Sequence, residues 1–79
     1  MKTQEKVIDV IKENTRWEGN ISLDLRLTED LGLDSLDMMM IVNSLEDEYS
    51  IEVESDCLKN LKTVSDVIDK INQMVLIKS

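Results

Sequence analysis

Residues 34–49 read DSLDMMMIVNSLEDEY, and the fold can be inferred outward from this segment. At 100° per residue, the angular step of an α-helix, its apolar residues gather on one face: Met38, Ile41, Val42, Leu45 and Tyr49. The opposite face carries a mixed set: Leu36, Met40, Asn43 and Asp47. Asp34 can cap this helix, and Asp37 three residues later completes a capping-box pattern. The pattern therefore predicts a helix over residues 35–49 with one face against a core.

Upstream of that helix, the sequence predicts a first helix and a long connection. Residues 3–14 repeat apolar side chains three and four positions apart: Val7, Val10 and Ile11. Residues 21–34 begin with apolar and polar residues in alternation, which could indicate a strand. Because no partner strand is visible elsewhere in the sequence, we interpret the segment as an ordered loop. We expect its leucines to lie across the helices as a lid on the core.

Downstream, the sequence predicts a short third helix over residues 55–60 and a last helix over residues 64–77. Ser55 can cap the short helix, whose Leu58 and the following Leu61 are expected to face inward. Thr63 can cap the last helix, with Asp66 at the reciprocal position. The last helix has its own apolar stripe: Val64, Val67, Ile68, Ile71, Met74 and Val75.

These elements predict an all-α fold. We expect a four-helix bundle, with three main helices plus one short helix and a long first loop, in a single domain over residues 1–79. The longest apolar run, residues 38–42, is far too short to span a membrane. The first residues lack the apolar segment of a signal peptide. We therefore expect a cytoplasmic monomer without membrane insertion.

The composition excludes several kinds of chemistry. The chain has 79 residues with no His, one Cys and a formal net charge of −8. Without His there is no Ser-His-Asp triad and no His ligand for zinc. Few basic and aromatic residues argue against nucleic-acid binding. Residues 30–37 lack the glycine and glutamate spacing of an EF-hand. We therefore expect no enzymatic activity and no dedicated metal site.

The acidic residues are unevenly placed along the chain. No Lys or Arg lies between Leu27 and Leu58, whereas ten acids do: Glu29, Asp30, Asp34, Asp37, Glu46, Asp47, Glu48, Glu52, Glu54 and Asp56. Such a run is often only a solvated face. Here the outer face of the second helix also carries Leu36 and Met40. Apolar groups surrounded by charge of one sign favour a docking surface for a basic partner.

Ser35 is the candidate residue for chemistry. It lies between Asp34 and Leu36 in the first turn of the predicted helix. Taken alone, the four residues 34–37 favour the simpler explanation of a good helix start. With no His to activate it, Ser35 is not a hydrolase nucleophile. Another enzyme could modify it, however, and a phosphate ester there would lie at the positive end of a helix.

Residues 30–37 read Asp-Leu-Gly-Leu-Asp-Ser-Leu-Asp. This segment resembles the attachment motif of acyl carrier proteins, D-L-G-x-D-S-L-D, and the similarity extends over nearly the whole chain. The resemblance implies that Ser35 carries a covalent phosphopantetheine, added by a phosphopantetheinyl transferase that uses coenzyme A. Its terminal thiol would hold acyl intermediates as thioesters. The protein would deliver them to enzymes of fatty-acid or polyketide synthesis.

The resemblance also implies which side chains meet those enzymes. Basic patches on acyl-processing synthase enzymes would contact acidic residues of the second helix, with Leu36 beside them. Together with Met40, which the helical wheel places on the same outer face, the predicted partner-binding residues are Asp34, Leu36, Asp37, Met40, Glu46 and Asp47.

Three positions depart from the common pattern of the family. Met40 stands where the fatty-acid carriers usually have an acid, Asn43 where they are often apolar, and Glu54 where a Pro is common. These departures leave open a specialised carrier for aminoacyl or modified-lipid assembly. An unmodified acidic helical adaptor that binds basic protein surfaces is a further alternative. We interpret Met38 as a core residue and Cys57 as a thiol without a role in the function.

Overall fold

Three long helices form the fold: α1 (Thr3–Glu13), α2 (Ser35–Tyr49) and a last helix (Val64–Lys78). The computed structural model describes residues 3–15 and 17–78, without the side chains of Ser55, Cys57 and Lys78. Helix α1 contacts both of the other long helices. The described residues contain no β-strand, only one isolated bridge between Arg26 and Thr63. The all-α prediction is therefore confirmed, and each long helix lies within one residue of its predicted bounds.

The predicted short third helix over residues 55–60 is not confirmed as a helix of its own. The chain makes a single helical turn, Ser55–Leu58. The turn closes with a hydrogen bond from the Leu61 N–H to the Leu58 carbonyl at 3.3 Å. One turn fixes several backbone dihedral angles for very few hydrogen bonds, so it is not stable by itself. Leu61, which follows the turn, packs against the core as predicted.

The capping box at the start of α2 is present as predicted. The Asp37 N–H donates to Asp34 Oδ1 at 2.8 Å, and the Asp34 N–H donates to Asp37 Oδ2 at 3.2 Å. At the other end Ser50 adopts a left-handed conformation with φ 53°, and its N–H donates to the Glu46 carbonyl. Both ends of α2 therefore have hydrogen-bond partners for otherwise unpaired backbone groups.

The core forms where the apolar stripes of the three helices meet. The inner face of α2 is buried as predicted, with Tyr49 half-buried at its end. The same is true of Val7, Val10 and Ile11 from α1. From the last helix, four residues of the predicted stripe are fully buried: Val64, Val67, Ile68 and Ile71. Since none of the described buried residues is polar, apolar packing accounts for the stability of this small bundle.

The long loop covers the core only with part of its apolar residues. Ile21 and Leu27 are buried, at 7% and 1% exposure, and Leu25 is half-buried. Leu23 remains 39% exposed. The lid prediction is therefore correct for the two ends of the alternating segment, and wrong for Leu23.

The alternating segment also has a backbone partner, contrary to our expectation. It runs antiparallel to residues 62–65. The Leu27 N–H donates to the Lys62 carbonyl at 2.9 Å, and the Val64 N–H donates to the Leu25 carbonyl at 3.0 Å. The partner segment is very short and leads directly into a helix, so it shows no alternation of its own in the sequence.

The last helix begins with the predicted reciprocal cap. The Asp66 N–H donates to Thr63 Oγ1 at 3.2 Å. The Asp66 carboxylate accepts in return from the N–H groups of Lys62 and Thr63, at 3.0 and 3.1 Å. These backbone hydrogen bonds favour the charged form and lower the pKa of Asp66. Asp66 thus holds together the paired segment and the helix that follows it.

We predict that Asp66→Asn reduces stability more at neutral pH than in acid. Because the pKa of Asp66 is lower in the folded state, its stabilisation is complete above the ordinary aspartate pKa of about 4. It is lost as the pH falls through the lower folded value. Urea unfolding at neutral pH and at about pH 3 measures the difference between the native protein and the variant. Asp69→Asn, at an exposed position of the same helix, is the matched control. An Asp66→Asn effect of equal size at both pH values would contradict this account.

Candidate functional site

Ser35 lies at the first turn of α2 with its side chain exposed. The residue before the cap, Leu33, is 2% exposed and fixes the approach of the chain. The hydrogen bonds between Asp34 and Asp37 enclose Ser35 and fix its backbone. Its hydroxyl forms no hydrogen bond with any residue that the structure describes. The geometry therefore presents a rigidly placed hydroxyl that is accessible to another molecule.

The turn that leads to Ser35 is shaped by Asp30 and Gly32. The Arg26 N–H donates to Asp30 Oδ2 at 2.7 Å, and the Arg26 guanidinium is paired with Glu29. Gly32 has φ 69°, which glycine adopts without the strain of a Cβ. The Leu33 N–H then donates to the Leu27 carbonyl at 2.9 Å. This turn therefore brings the chain back to the core just before α2 begins.

Most of the motif at residues 30–37 thus has a structural role. Asp30 and Gly32 form the turn, and the two aspartates that follow form the capping box. Leu31 and Leu33 are buried in the core, at 7% and 2% exposure. The two residues without such a role are Ser35 and Leu36, and Leu36 is 65% exposed.

A groove of about 940 Å³ is lined in part by Ser35. It lies between the start of α2, part of the long loop and residues 58–63. Its apolar lining comes from both sides: Leu33, Met38, Met39, Leu58 and Leu61. The sequence did not predict this groove. Its walls are distant in sequence, and the pairing of the loop with residues 62–65 helps to bring them together.

The outer face of α2 is exposed as the helical wheel predicted. Leu36 is 65% exposed and Met40 is 49% exposed, while Asp47 is exposed further along the helix. Met38 is buried at 8%, which confirms its assignment to the core. Met39 is 51% exposed and lies at the edge of the groove, between the core and the outer face. The three consecutive methionines therefore occupy three different environments.

The acidic residues predicted to bind partners are not equivalent. Glu46 is half-buried, and its Oε2 accepts from the Val53 N–H at 2.8 Å, which fixes the segment after α2. Glu48 pairs with Lys6 of α1 at 3.6 Å. Asp47, between them, is exposed, and its carboxylate has no hydrogen bond to a described residue. From the sequence, Glu46 and Asp47 received the same predicted role. The bond from Val53 to Glu46 could not be predicted, because it depends on the path of the chain after the helix.

Two further features bear on the kind of site present. Among the described residues, no three His, Cys, Asp or Glu side chains come together in a way that could hold a metal ion. In the same part of the chain, no helix combines the length and the apolar character needed to cross a membrane. The interpretation of Cys57 concerns a side chain outside those that the structure describes.

Comparison with known proteins gives a consistent result. The family model described as a phosphopantetheine attachment site matches residues 5–71. An acyl carrier protein of Exiguobacterium sibiricum is 45% identical over 78 residues, which cover 92% of this chain and 99% of the relative.

Two solved structures from Streptomyces coelicolor have the same fold. The hexanoyl form of the acyl carrier protein of the actinorhodin polyketide synthase aligns with a TM-score of 0.82 at 27% identity, over 100% of this chain and 96% of that one. The 3,7-dioxo-octyl form of the actinorhodin carrier aligns with a TM-score of 0.79 at 27% identity, over 96% and 93%.

We predict that Glu46→Ala destabilises the fold, because it leaves the half-buried Val53 N–H without its acceptor. The expected loss is about 1–3 kcal/mol in the free energy of unfolding, measured by urea denaturation. Glu46→Gln keeps an acceptor oxygen and is expected to lose less. Asp47→Ala removes the neighbouring, exposed carboxylate and serves as the control. Equal losses in Glu46→Ala and Asp47→Ala would show that the bond to Val53 does not contribute.

Proposed function

Since the chain belongs to the acyl carrier proteins, which bear phosphopantetheine, we propose that Ser35 is the residue to which this group is attached. When bound, the group supplies a terminal thiol that holds acyl intermediates as thioesters. The observation that carries the assignment is the exposed hydroxyl of Ser35, which has no partner among the described residues and lines a groove. Neither the specialised-carrier alternative nor the adaptor alternative is favoured.

The surroundings of Ser35 fit a phosphodiester at its Oγ. The start of a helix favours an anion through its backbone N–H groups and dipole. The N–H of Asp37 is already occupied by Asp34 Oδ1. The negatively charged carboxylates of Asp34 and Asp37 repel the phosphodiester, which is therefore directed away from the helix. This outward direction suits a group that must reach other enzymes.

The groove gives the carrier a place to shelter its acyl chain. Ser35 lines this groove together with apolar side chains from the loop, from α2 and from residues 58–63. A volume of about 940 Å³ is at the upper end of ordinary small-molecule sites. Two structural neighbours were solved with hexanoyl and 3,7-dioxo-octyl groups. We infer that this chain holds fatty-acid or polyketide intermediates in the groove.

An acyl carrier protein works with acyl-processing enzymes, and we infer that α2 is the surface they contact. Leu36 and Met40 supply apolar area, and Asp47 supplies exposed negative charge. The remaining proposed contacts lie beside them: Asp34, Asp37 and Glu46. Exposed charge steers a basic partner and raises the association rate, so many enzymes can be met quickly and bound weakly.

Several broader expectations from the sequence remain part of the proposal. The protein acts as one acyl-carrier domain over residues 1–79, as a cytoplasmic monomer that carries cargo but catalyses no reaction. The single turn Ser55–Leu58 takes the place of a short third helix in the four-helix description.

We predict that incubation with coenzyme A and a phosphopantetheinyl transferase adds the mass of one phosphopantetheine group to the protein. Ser35→Ala is expected to abolish the addition, because the acceptor oxygen is gone. Intact-mass spectrometry measures both, and circular dichroism checks that the variant is folded. Ser44→Ala, at an exposed position of the same helix, is the control and should be modified normally. Modification that persists in Ser35→Ala would overturn the assignment.

We predict that Asp47→Lys slows association with the same transferase, because it reverses a charge on the docking face. Asp47 lies three turns from Leu36, roughly 16 Å along the helix, so the change leaves Ser35 itself intact. Stopped-flow association should show a slower rate, with a smaller difference at high salt. Asp9→Lys, at an exposed position of α1, makes the same change in net charge elsewhere. Equal slowing by Asp9→Lys would show that only net charge matters.

A further inference from the structure

Three basic residues and two acidic ones line the groove beside Ser35, in a protein whose acidic residues otherwise outnumber its basic ones. We propose that the groove selects acyl cargo by charge, and that it favours a chain that ends in a carboxylate over one that ends in an amine. The inference rests on the proposed attachment at Ser35, since that bond places the cargo at the groove. It goes beyond that function because it specifies the class of acyl group that the groove retains.

The charge of the groove contrasts with that of the molecule. The chain has nine Lys and Arg residues and a formal net charge of −8, and no base lies between Leu27 and Leu58. Three of the nine nevertheless line this one groove: Arg26, Lys59 and Lys62. In sequence, these three residues lie on either side of the acidic stretch. The fold brings them together at the groove.

The acidic residues of the groove do not neutralise the lysines directly. Glu29 is paired with Arg26, and Asp34 accepts the N–H of Asp37. Lys59 and Lys62 are exposed, and neither forms an ion pair with a residue that the structure describes. Lys62 is near enough to Asp66 to contribute, as the smallest of several causes, to its lowered pKa. The two lysines therefore leave positive charge on this wall of the groove.

The rest of the lining determines what kind of anion fits. The apolar residues described above give the groove a surface for an alkyl chain, whereas Thr28 adds a hydroxyl group that can hydrogen-bond oxygen atoms. A chain with an apolar body and a terminal carboxylate matches both parts. A terminal ammonium, as in an aminoacyl cargo, would meet Lys59 and Lys62 as like charges.

The expected size of the preference follows from the exposure of the lysines. Exposed ion pairs are weak, so each step in the ranking should be about twofold to fivefold in the ratio of sheltered to exposed cargo. High ionic strength should reduce it, because the charges are separated by solvent. The expected order is carboxylate-ended first, then uncharged, then amine-ended.

The experiment compares three cargoes of equal length on the whole protein. The transferase loads Ser35 from the coenzyme A thioesters of octanoic acid, octanedioic acid and omega-amino-octanoic acid. Cleavage of each thioester by hydroxylamine is followed by intact mass, and each rate is divided by that of the same acyl group on free coenzyme A. This ratio reports shelter by the protein and cancels the intrinsic reactivity of the thioester.

Variants distinguish the effect of the two lysines from the effect of the protein's net charge. The double variant Lys59→Met and Lys62→Met keeps the apolar stems and should abolish the order among the cargoes. Replacement of both lysines by Arg keeps the charge and should preserve the order among the cargoes. The matched control, Lys12→Met with Lys70→Met, changes net charge equally at positions outside this groove and should also preserve the order.

The possible outcomes distinguish this inference from the function on which it rests. Failure of the transferase to load any cargo on Ser35 would overturn the attachment site and this inference with it. Normal loading with equal protection of the three cargoes, or with no protection of any, would overturn charge selection alone. An order that survives the double Met variant would also overturn it. Protection in the stated order, lost in that variant and kept in the control, supports it.

Discussion

The arrangement of the whole site depends on one short pairing between backbone segments. The hydrogen bonds from Leu27 to Lys62 and from Val64 to Leu25, at 2.9 and 3.0 Å, tie the long loop to the start of the last helix. The loop then returns over the core and enters α2 at a fixed point, which places Ser35. The same pairing holds residues 58–63 opposite α2, so it also forms the groove. The hydroxyl of Ser35 and the apolar side chains of residues 58–63 therefore line one groove.

The negative charge of the chain serves two physical purposes. Some carboxylates accept backbone N–H groups and so determine where turns and helices begin or end: Asp30, Asp34, Asp37, Glu46 and Asp66. Others, such as Asp47, are exposed and available to a partner. A formal charge of −8 is therefore not simply a measure of solubility. The exposed lysines of the groove matter because the rest of the protein is mostly negative. They place positive charge in the groove that Ser35 also lines.

Most positions of the motif have a structural role, and few are left exposed for function, as suits a carrier. The motif at residues 30–37 uses six of its eight positions to build the turn, the core contact and the cap, which leaves Ser35 and Leu36 exposed. A carrier needs a fixed attachment point and a surface for brief encounters, while the reactive thiol comes with the attached group. The absence of His in the sequence is consistent with this division of labour.

Features that depend on near neighbours along the chain could be predicted from the sequence. Helical periodicity predicted the bounds and buried face of α2, and the spacing of Asp34 from Asp37 and of Thr63 from Asp66 predicted both caps. These predictions succeed because a helix places residues three and four apart on one side, and a cap spans three residues. The motif around Ser35 likewise identified the family. Four features became visible only in the folded chain: the loop pairing, the bond from Val53 to Glu46, the single turn at Ser55–Leu58 and the groove with its lysines. Each of these depends on where a loop or turn runs relative to the helices, and no periodic pattern encodes that path.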